Sequence, residues 1–245
     1  MRAMASPPRA LRTEQTTAFL REALRGRRRV LEVGCGRGDV ARALAAAGHE
    51  VTALDHELRH LPPGPPPPGL TYVEHDFLAY DAALFDAVVF TASLHHIAPL
   101  DRAVERAAAL TAPGGLVIAD DFDLDAPDAE TLRWYYELQE LLVAAGVYPA
   151  GRVDPPRPDP LARWRDAHAH DPPLHTGAQL RRALDDHLAL RERRRCEYLY
   201  RYIAGGLPDD ARGSELAAHV LAVERRRLAE GRLVPVGLRL LAVRP

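Results

Sequence analysis

Three glycines in five positions, Gly34-Cys35-Gly36-Arg37-Gly38, stand between the apolar run Arg29–Val33 and the Ala-rich stretch Asp39–Ala47. No other feature limits the fold of this chain as strongly. The apolar run has strand length, the Ala-rich stretch reads as a helix closed by Gly48, and glycine permits the sharp turn between them and a close approach of a ligand to the main chain. Similar short runs recur at Val51–Leu54, ending at Asp55, and at Leu70–Glu74, Phe85–Phe90 and Leu116–Ala119. A helical pattern covers Asp101–Leu110, and the turn Pro113-Gly114-Gly115 precedes the fifth run. Near-continuous apolar strands alternating with helices predict a parallel sheet with both faces covered.

The flanks are less regular. Thr13–Leu24 carries a helical pattern, and Pro62–Gly69 is a proline-dense piece that must run extended, leaving room for one turn at His56–Leu61. In the second half, Glu130–Ala145 reads as a helix and Tyr148–Pro173 as an irregular stretch rich in Pro and Asp. Thr176 and Gln179 form a capping box that opens the helix Ala178–His187. Cys196–Tyr202 reads as a strand, Ser214–Glu230 as a helix, and Val234–Val243 as a last strand, for which the pattern leaves both a parallel and an antiparallel direction open. The expected organisation is one domain, 1–245, with an N-terminal helix in 1–27, a ligand-binding half in 28–122, an insertion in 123–176 and the rest of the sheet in 177–245. The insertion is expected to act as a mobile lid carrying Trp134, Tyr135, Tyr136, Tyr148 and Trp164, at least half of which serve as anchors. A covered pocket of that kind favours a small, partly apolar acceptor.

Composition excludes several chemistries. All 32 basic residues are Arg, so there is no lysine for a Schiff base, a pyridoxal phosphate anchor or a Walker-type phosphate loop. A net charge of −2 gives no global field for nucleic acid, and the runs at 27–29, 193–195 and 225–227 read as solvated faces. No apolar run reaches the ~20 residues of a membrane span. The first ten residues lack an apolar signal core, and Cys35 and Cys196 make no disulfide framework, so a cytoplasmic protein is expected.

Charge separates the two nucleoside cofactors that suit a strand–glycine loop–helix unit. Asp55 lies 21 positions after Gly34, where an acid can accept hydrogen bonds from ribose hydroxyls. A dinucleotide would place its pyrophosphate at the helix start, yet the third glycine of that pattern would fall at Asp39, and Glu32 precedes the loop. These carboxylates repel a pyrophosphate and suit a ligand bearing a sulfonium and an ammonium group.

On these residues the chain resembles the class I S-adenosylmethionine (SAM)-dependent methyltransferases of the small-molecule type. Val30–Gly38 resembles the family's first motif, Asp55 the acid after strand two, Asp76-Phe77 the pair at the adenine, and Phe85–Val89 with Pro113–Leu116 the fourth strand and the turn before the fifth. The resemblance spans about residues 28–122. It implies a Rossmann-like, doubly wound α/β fold with a mostly parallel seven-stranded sheet whose last strand is antiparallel. It also implies SAM as cofactor, S-adenosylhomocysteine (SAH) as product, and a binding set of Glu32, Gly34, Cys35, Gly36, Asp55, His56, Asp76, Phe77 and Thr91. The family's usual helix between strands two and three has no room here.

Ligands of open parallel sheets sit beyond the carboxyl ends of the strands, so Thr91–Ile97 and Asp120–Asp123 are expected to face the reaction. His95 is the candidate base for a hydroxyl acceptor, His96 reads as structural, and no metal site is expected from this spacing. The reaction expected is methyl transfer to an oxygen or nitrogen of a small molecule. The competing readings are a SAM-binding regulator or partner subunit without transfer, and, disfavoured by Glu32 and Asp39, an NAD-dependent oxidoreductase.

Overall fold

The computed structural model describes residues 7–245; the first six residues of the N-terminal segment lie outside the described residues. Seven strands form one sheet in the order β3-β2-β1-β4-β5-β7-β6. Strands β1 (Arg29–Val33), β2 (Glu50–Asp55), β3 (Leu70–Glu74), β4 (Phe85–Thr91) and β5 (Thr111–Phe122) pair in parallel. Strand β7 (Gly237–Val243) is antiparallel to β5, as predicted. Hydrogen bonds join Gly115 to Arg244 at one end and Asp123 to Val236 at the other, so numbering rises on one strand as it falls on the other.

The apolar runs are continuous because both faces of the sheet are buried. Leu31, Val33, Val88 and Phe90 pack on one face with helices α3 (Leu100–Leu110) and α6 (Gly177–His187). Val30, Val51, Ala87 and Val89 pack on the other with α1 (Pro8–Ala23) and α2 (Asp39–Ala46). Each fully buried side chain of this size contributes about 1.5–3 kcal/mol. Between β2 and β3 no helix forms; a single turn is closed by the Leu61 N–H on the Leu58 carbonyl (3.1 Å), and the prolines follow.

The chain divides into two compact units. The first holds Gln15–Phe122, His175–Arg194 and Leu238–Pro245, and the second holds the residues up to Glu14, Asp123–Leu174 and Arg195–Gly237. In the second unit, helices α4 (Ala129–Ala144), α5 (Pro160–Ala167), α7 (Leu199–Gly206) and α8 (Ala211–Ala229) enclose an aromatic core. Trp164 donates its indole N–H to the Leu124 carbonyl (2.9 Å) and meets Tyr135 and Tyr202 edge to face. Of the five aromatics expected in the insertion, Tyr135, Tyr136, Tyr148 and Trp164 are buried in this unit, and Trp134 is half-buried beneath the Arg227 guanidinium. The expected insertion 123–176 therefore does not stand alone. Its core is shared with 195–237.

Two parts of the second half differ from the sequence reading: Pro160–Ala167, within the stretch read as irregular, is the helix α5, and the sixth strand lies elsewhere. Cys196–Tyr202 is not a strand: β6 is Ala189–Cys196, and α7 begins at Leu199. The strand was hidden because β6 is the edge of the sheet, where Arg191, Glu192, Arg193 and Arg194 are exposed and an apolar run is not required. The helix was hidden because its start is capped from a distance. Glu224 of α8, itself buried, accepts the N–H groups of Tyr198, Leu199 and Tyr200 at 2.8–3.0 Å.

Glu224 yields a stability test with a defined sign. Glu224→Ala strands three N–H groups and should lower the unfolding free energy by about 3 kcal/mol, at ~1 kcal/mol each. Burial, which outweighs the three donors, raises the Glu224 pKa in the folded protein. The folded state then holds the proton more tightly than the unfolded one, so this group's linked stability is full below the ordinary glutamate range and falls as pH rises through the folded value. Urea unfolding of both proteins across pH should show the advantage of the parent narrowing as pH rises.

Candidate functional site

The glycine loop is built by backbone conformations that side chains resist. Gly34, Gly36 and Gly38 have φ values of 74°, 53° and 68°. At Gly34 a Cβ would fall 2.5 Å from the Cβ of Ser93, and at Gly38 2.7 Å from the hydroxyl of Tyr72. The loop is latched to the next strand, because the N–H groups of Gly34 and Cys35 both donate to the Leu54 carbonyl (2.8 and 3.1 Å). One residue further on, the Gly36 N–H donates to Asp55 Oδ2 at 2.7 Å. The other oxygen of Asp55, Oδ1, lies 2.9 Å from Nδ1 of His56.

A cavity of about 320 Å³ opens beyond the ends of β1, β2, β3 and β4. Its wall takes Val33 and Gly34 from β1 and its turn, Leu54, Asp55 and His56 from β2, His75, Asp76 and Phe77 from the turn after β3, and Ala92, Ser93, His96 and Ile97 from the turn after β4. Asp76 accepts the Leu78 N–H with Oδ1 (3.0 Å), which starts a one-turn helix and fixes Phe77 edge-on against Phe90, centroids 5.5 Å apart. Ser93 donates its hydroxyl to the Val33 carbonyl at 2.6 Å, tying the β4 turn to the end of β1. Ala92 has a φ of 54°, uncommon for a residue with a side chain, and such strained positions concentrate at functional sites.

Of the residues expected to hold the cofactor, Gly34, Asp55, His56, Asp76 and Phe77 meet at this wall. Glu32, Cys35, Gly36 and Thr91 are not on it. Glu32 is buried behind the loop and accepts the Thr91 hydroxyl at 2.8 Å. The Cys35 thiol is pushed up to about 12, mainly by burial and further by the carboxylates of Glu32 and Asp55, so it stays protonated. Gly36 lies behind Asp55 and orients it.

His95, the expected base, is not on the cavity wall either. It is 5% exposed and its Nδ1 lies 2.6 Å from Asp121 Oδ1, off the line of a good hydrogen bond. His96, expected to be structural, is the exposed one and lines the cavity. The reason is local geometry: in the short helical turn Leu94–His96, successive residues project about 120° apart, so only one of the two faces the opening. Asp120 and Asp121 are fully buried and engaged with protein groups, Asp120 with Thr16 and Arg239, Asp121 with His95. Sequence reasoning missed His75 as a wall residue, whereas Ser93 lies in the Thr91–Ile97 stretch expected to face the reaction. The contact of Ser93 with the glycine at position 34 is set by the fold, and the sequence does not name that partner.

A parallel sheet with a glycine turn after β1, an acid at the end of β2 and a cavity at the point where the strand order reverses defines a nucleoside-binding α/β protein. Residues 7–186 match the methyltransferase domain family, and the chain belongs to that family. A ubiquinone biosynthesis O-methyltransferase of Methylocella silvestris is 34% identical over a match covering 37% of this chain. That match spans only 38% of the relative's length. Among solved structures, the N-methyltransferase NodS of Bradyrhizobium japonicum with bound SAH shares 16% identity at a TM-score of 0.51, covering 95% of this chain and 86% of its own. The 1,6-didemethyltoxoflavin-N1-methyltransferase of Burkholderia thailandensis shares 19% at 0.51, covering 94% and 77%. These likenesses carry the fold.

The glycine turn can be tested without a ligand. Gly34→Ala adds a left-handed strain of ~1–2 kcal/mol and a clash costing a further ~1–3 kcal/mol. Ser93→Gly in the same chain should recover the clash portion alone. Denaturant unfolding of the two single variants and the double variant reads the coupling, and strictly additive effects would refute the contact.

Proposed function

We propose that this chain binds SAM in the cavity beyond β1, β2 and β4 and transfers its methyl group to an oxygen or nitrogen of a small molecule, releasing SAH. The observation that carries this reading is the wall itself: Asp55, held by the Gly36 N–H, and Asp76 stand on it together with a close-approach glycine, and among the described residues no Arg lines it. Carboxylates without guanidinium groups fit a sulfonium nucleoside and disfavour a pyrophosphate. Asp55 accepts the ribose hydroxyls, Asp76 and Phe77 take the adenine, and the bare main chain at Gly34 receives the methionine part. SAM supplies an activated methyl group, so the work left to the protein is alignment of donor and acceptor and exclusion of water. The acceptor's lone pair forms the new bond to carbon, the electrons of the carbon–sulfur bond return to sulfur, and an acceptor proton leaves to a base or solvent.

The Methylocella silvestris relative is an O-methyltransferase and NodS an N-methyltransferase, which supports both acceptor atoms. No helix among the described residues is long and apolar enough to cross a membrane. Cys35 and Cys196 are buried and form no disulfide, which supports a reducing compartment and hence the cytoplasm.

Calorimetric titration with SAM, SAH and NAD tests the proposal. SAM and SAH should bind and NAD should not. Asp55→Ala should weaken SAH by roughly 10–100-fold, since hydrogen bonds to a charged group are worth ~1.5–3 kcal/mol each. Unchanged affinity in that variant, or tighter binding of NAD than of SAM, would overturn the assignment.

A further inference from the structure

We propose that Tyr72, fixed by Arg42 and Asp39, is a positioning residue for the cofactor: it wedges the glycine loop from behind and thereby aims the Asp55 carboxylate into the cavity. This rests on the reading of the cavity as the SAM site. The three glycines of the loop do not serve one purpose. Gly34 lies on the cavity wall and meets Ser93. A Cβ at Gly36 would meet nothing within 4 Å. Gly38 is buried and is not part of the wall, so its bare Cα serves a contact within the protein rather than a ligand. That contact is with Tyr72. A Cβ at Gly38 would fall 2.7 Å from the Tyr72 hydroxyl, 2.8 Å from its Cε1 and 3.1 Å from Leu61 Cδ2.

The wedge stands where the connection between β2 and β3 lacks a helix. Tyr72 is in the middle of β3, beside Ala53 of β2. Leu61 belongs to the single turn that follows β2, and the Leu58 N–H ties that turn to Glu74 of β3 at 2.9 Å. The Tyr72 ring is held in turn by α2. Arg42 donates from Nη1 to the Tyr72 hydroxyl at 2.9 Å, and its Nη2 pairs with Asp39 one turn earlier. A guanidinium is a rigid fork of donors, so two partners fix its plane. The path from the wedge to the cavity wall is short. The Gly38 N–H donates to the Cys35 carbonyl at 2.8 Å and closes a turn around Gly36. The Gly36 N–H donates to Asp55 Oδ2 at 2.7 Å. A turn that contains two glycines has many conformations open to it, and the side chains behind Gly38 select the one that points the Gly36 N–H at Asp55.

The variants separate the wedge from the fold. Tyr72→Leu keeps an apolar side chain on β3 and removes the ring. It should weaken SAH about tenfold in calorimetry on folded protein, toward the lower end of what removing Asp55 itself costs. Tyr72→Phe keeps the ring against Gly38 and should recover most of that loss; a Tyr72→Phe protein as weak as Tyr72→Leu overturns the wedge. Action through Asp55 is read in a double-variant cycle. In an Asp55→Ala background, Tyr72→Leu should cost no further SAH affinity. Equal losses in both backgrounds overturn the inference. A Tyr72 that only supports the fold would lower the thermal midpoint and leave the SAH affinity of the folded protein unchanged, and that result overturns it as well. Should Tyr72→Leu not fold, Arg42→Ala takes its place in the cycle, because it leaves the ring unpinned; equal losses or none again overturn the inference. The two readings fail differently. If the parent binds neither SAM nor SAH, the cavity assignment fails and this inference with it. If Asp55→Ala weakens SAH and Tyr72→Leu does not, only the present inference fails.

Discussion

The contact of Gly34 with Ser93 is the constraint on which the site depends. Strands β1 and β4 are neighbours, and their connections leave in opposite directions, β1 toward β2 and β4 toward β5. At such a point two turns depart side by side and then diverge, and the space between them is where a ligand enters. For the cavity to be walled rather than open, the turns must touch before they part. They touch at a Cα with no Cβ, and the Ser93 hydroxyl closes the contact on the Val33 carbonyl at 2.6 Å. Any side chain at position 34 pushes the β4 turn away, and with it the residues that line the cavity on that side.

The end of β5 supplies the second support. Asp120 and Asp121 are both fully buried, and buried carboxylates are tolerated only when paired. Because side chains alternate along a strand, the two serve opposite faces. Asp120 accepts the Thr16 hydroxyl at 2.7 Å and Arg239 Nε at 2.9 Å, and the Arg239 guanidinium also lies over the Phe19 ring. That network fastens α1 and β7 to the sheet. Asp121 turns to the other face and holds His95. Two adjacent acids that read as one cluster at a strand end therefore do separate jobs.

What was legible follows from where the information sits. β1 and β3 have the boundaries read from sequence, and the Thr176–Gln179 capping box is present with both of its bonds. These features are local: an apolar run, a glycine turn, a reciprocal pair three residues apart. The order of the histidines was not legible, because which of His95 and His96 faces the cavity depends on the phase of a single helical turn. β6 was misplaced because an edge strand carries Arg where a central strand carries Val. The start of α7 and the contact of His175 Nε2 with the Ile97 carbonyl depend on Glu224 and on a residue 78 positions from its partner. No window of sequence contains both halves of such contacts. The Arg runs illustrate the same limit: Arg195 pairs with Asp123 and Arg225 with Glu197, partners fixed only by the fold.

Glu32 shows that a residue can matter to a ligand without touching it. The sequence places it among the residues that hold the cofactor, whereas the structure buries it at 1% exposure behind the wall, bonded to Thr91 across β1 and β4. Its charge still reaches the loop, since together with Asp55 it reinforces the effect of burial on the Cys35 thiol. A field that disfavours a thiolate disfavours a pyrophosphate for the same reason and favours a sulfonium. Water screens such a field poorly where the source is buried. On the proposed reading, a preference for a cationic nucleoside would draw on two layers, the carboxylates Asp55 and Asp76 on the wall and the buried Glu32 behind it. On the same wall Gly34 presents bare main chain, which carries no charge to oppose a cationic ligand.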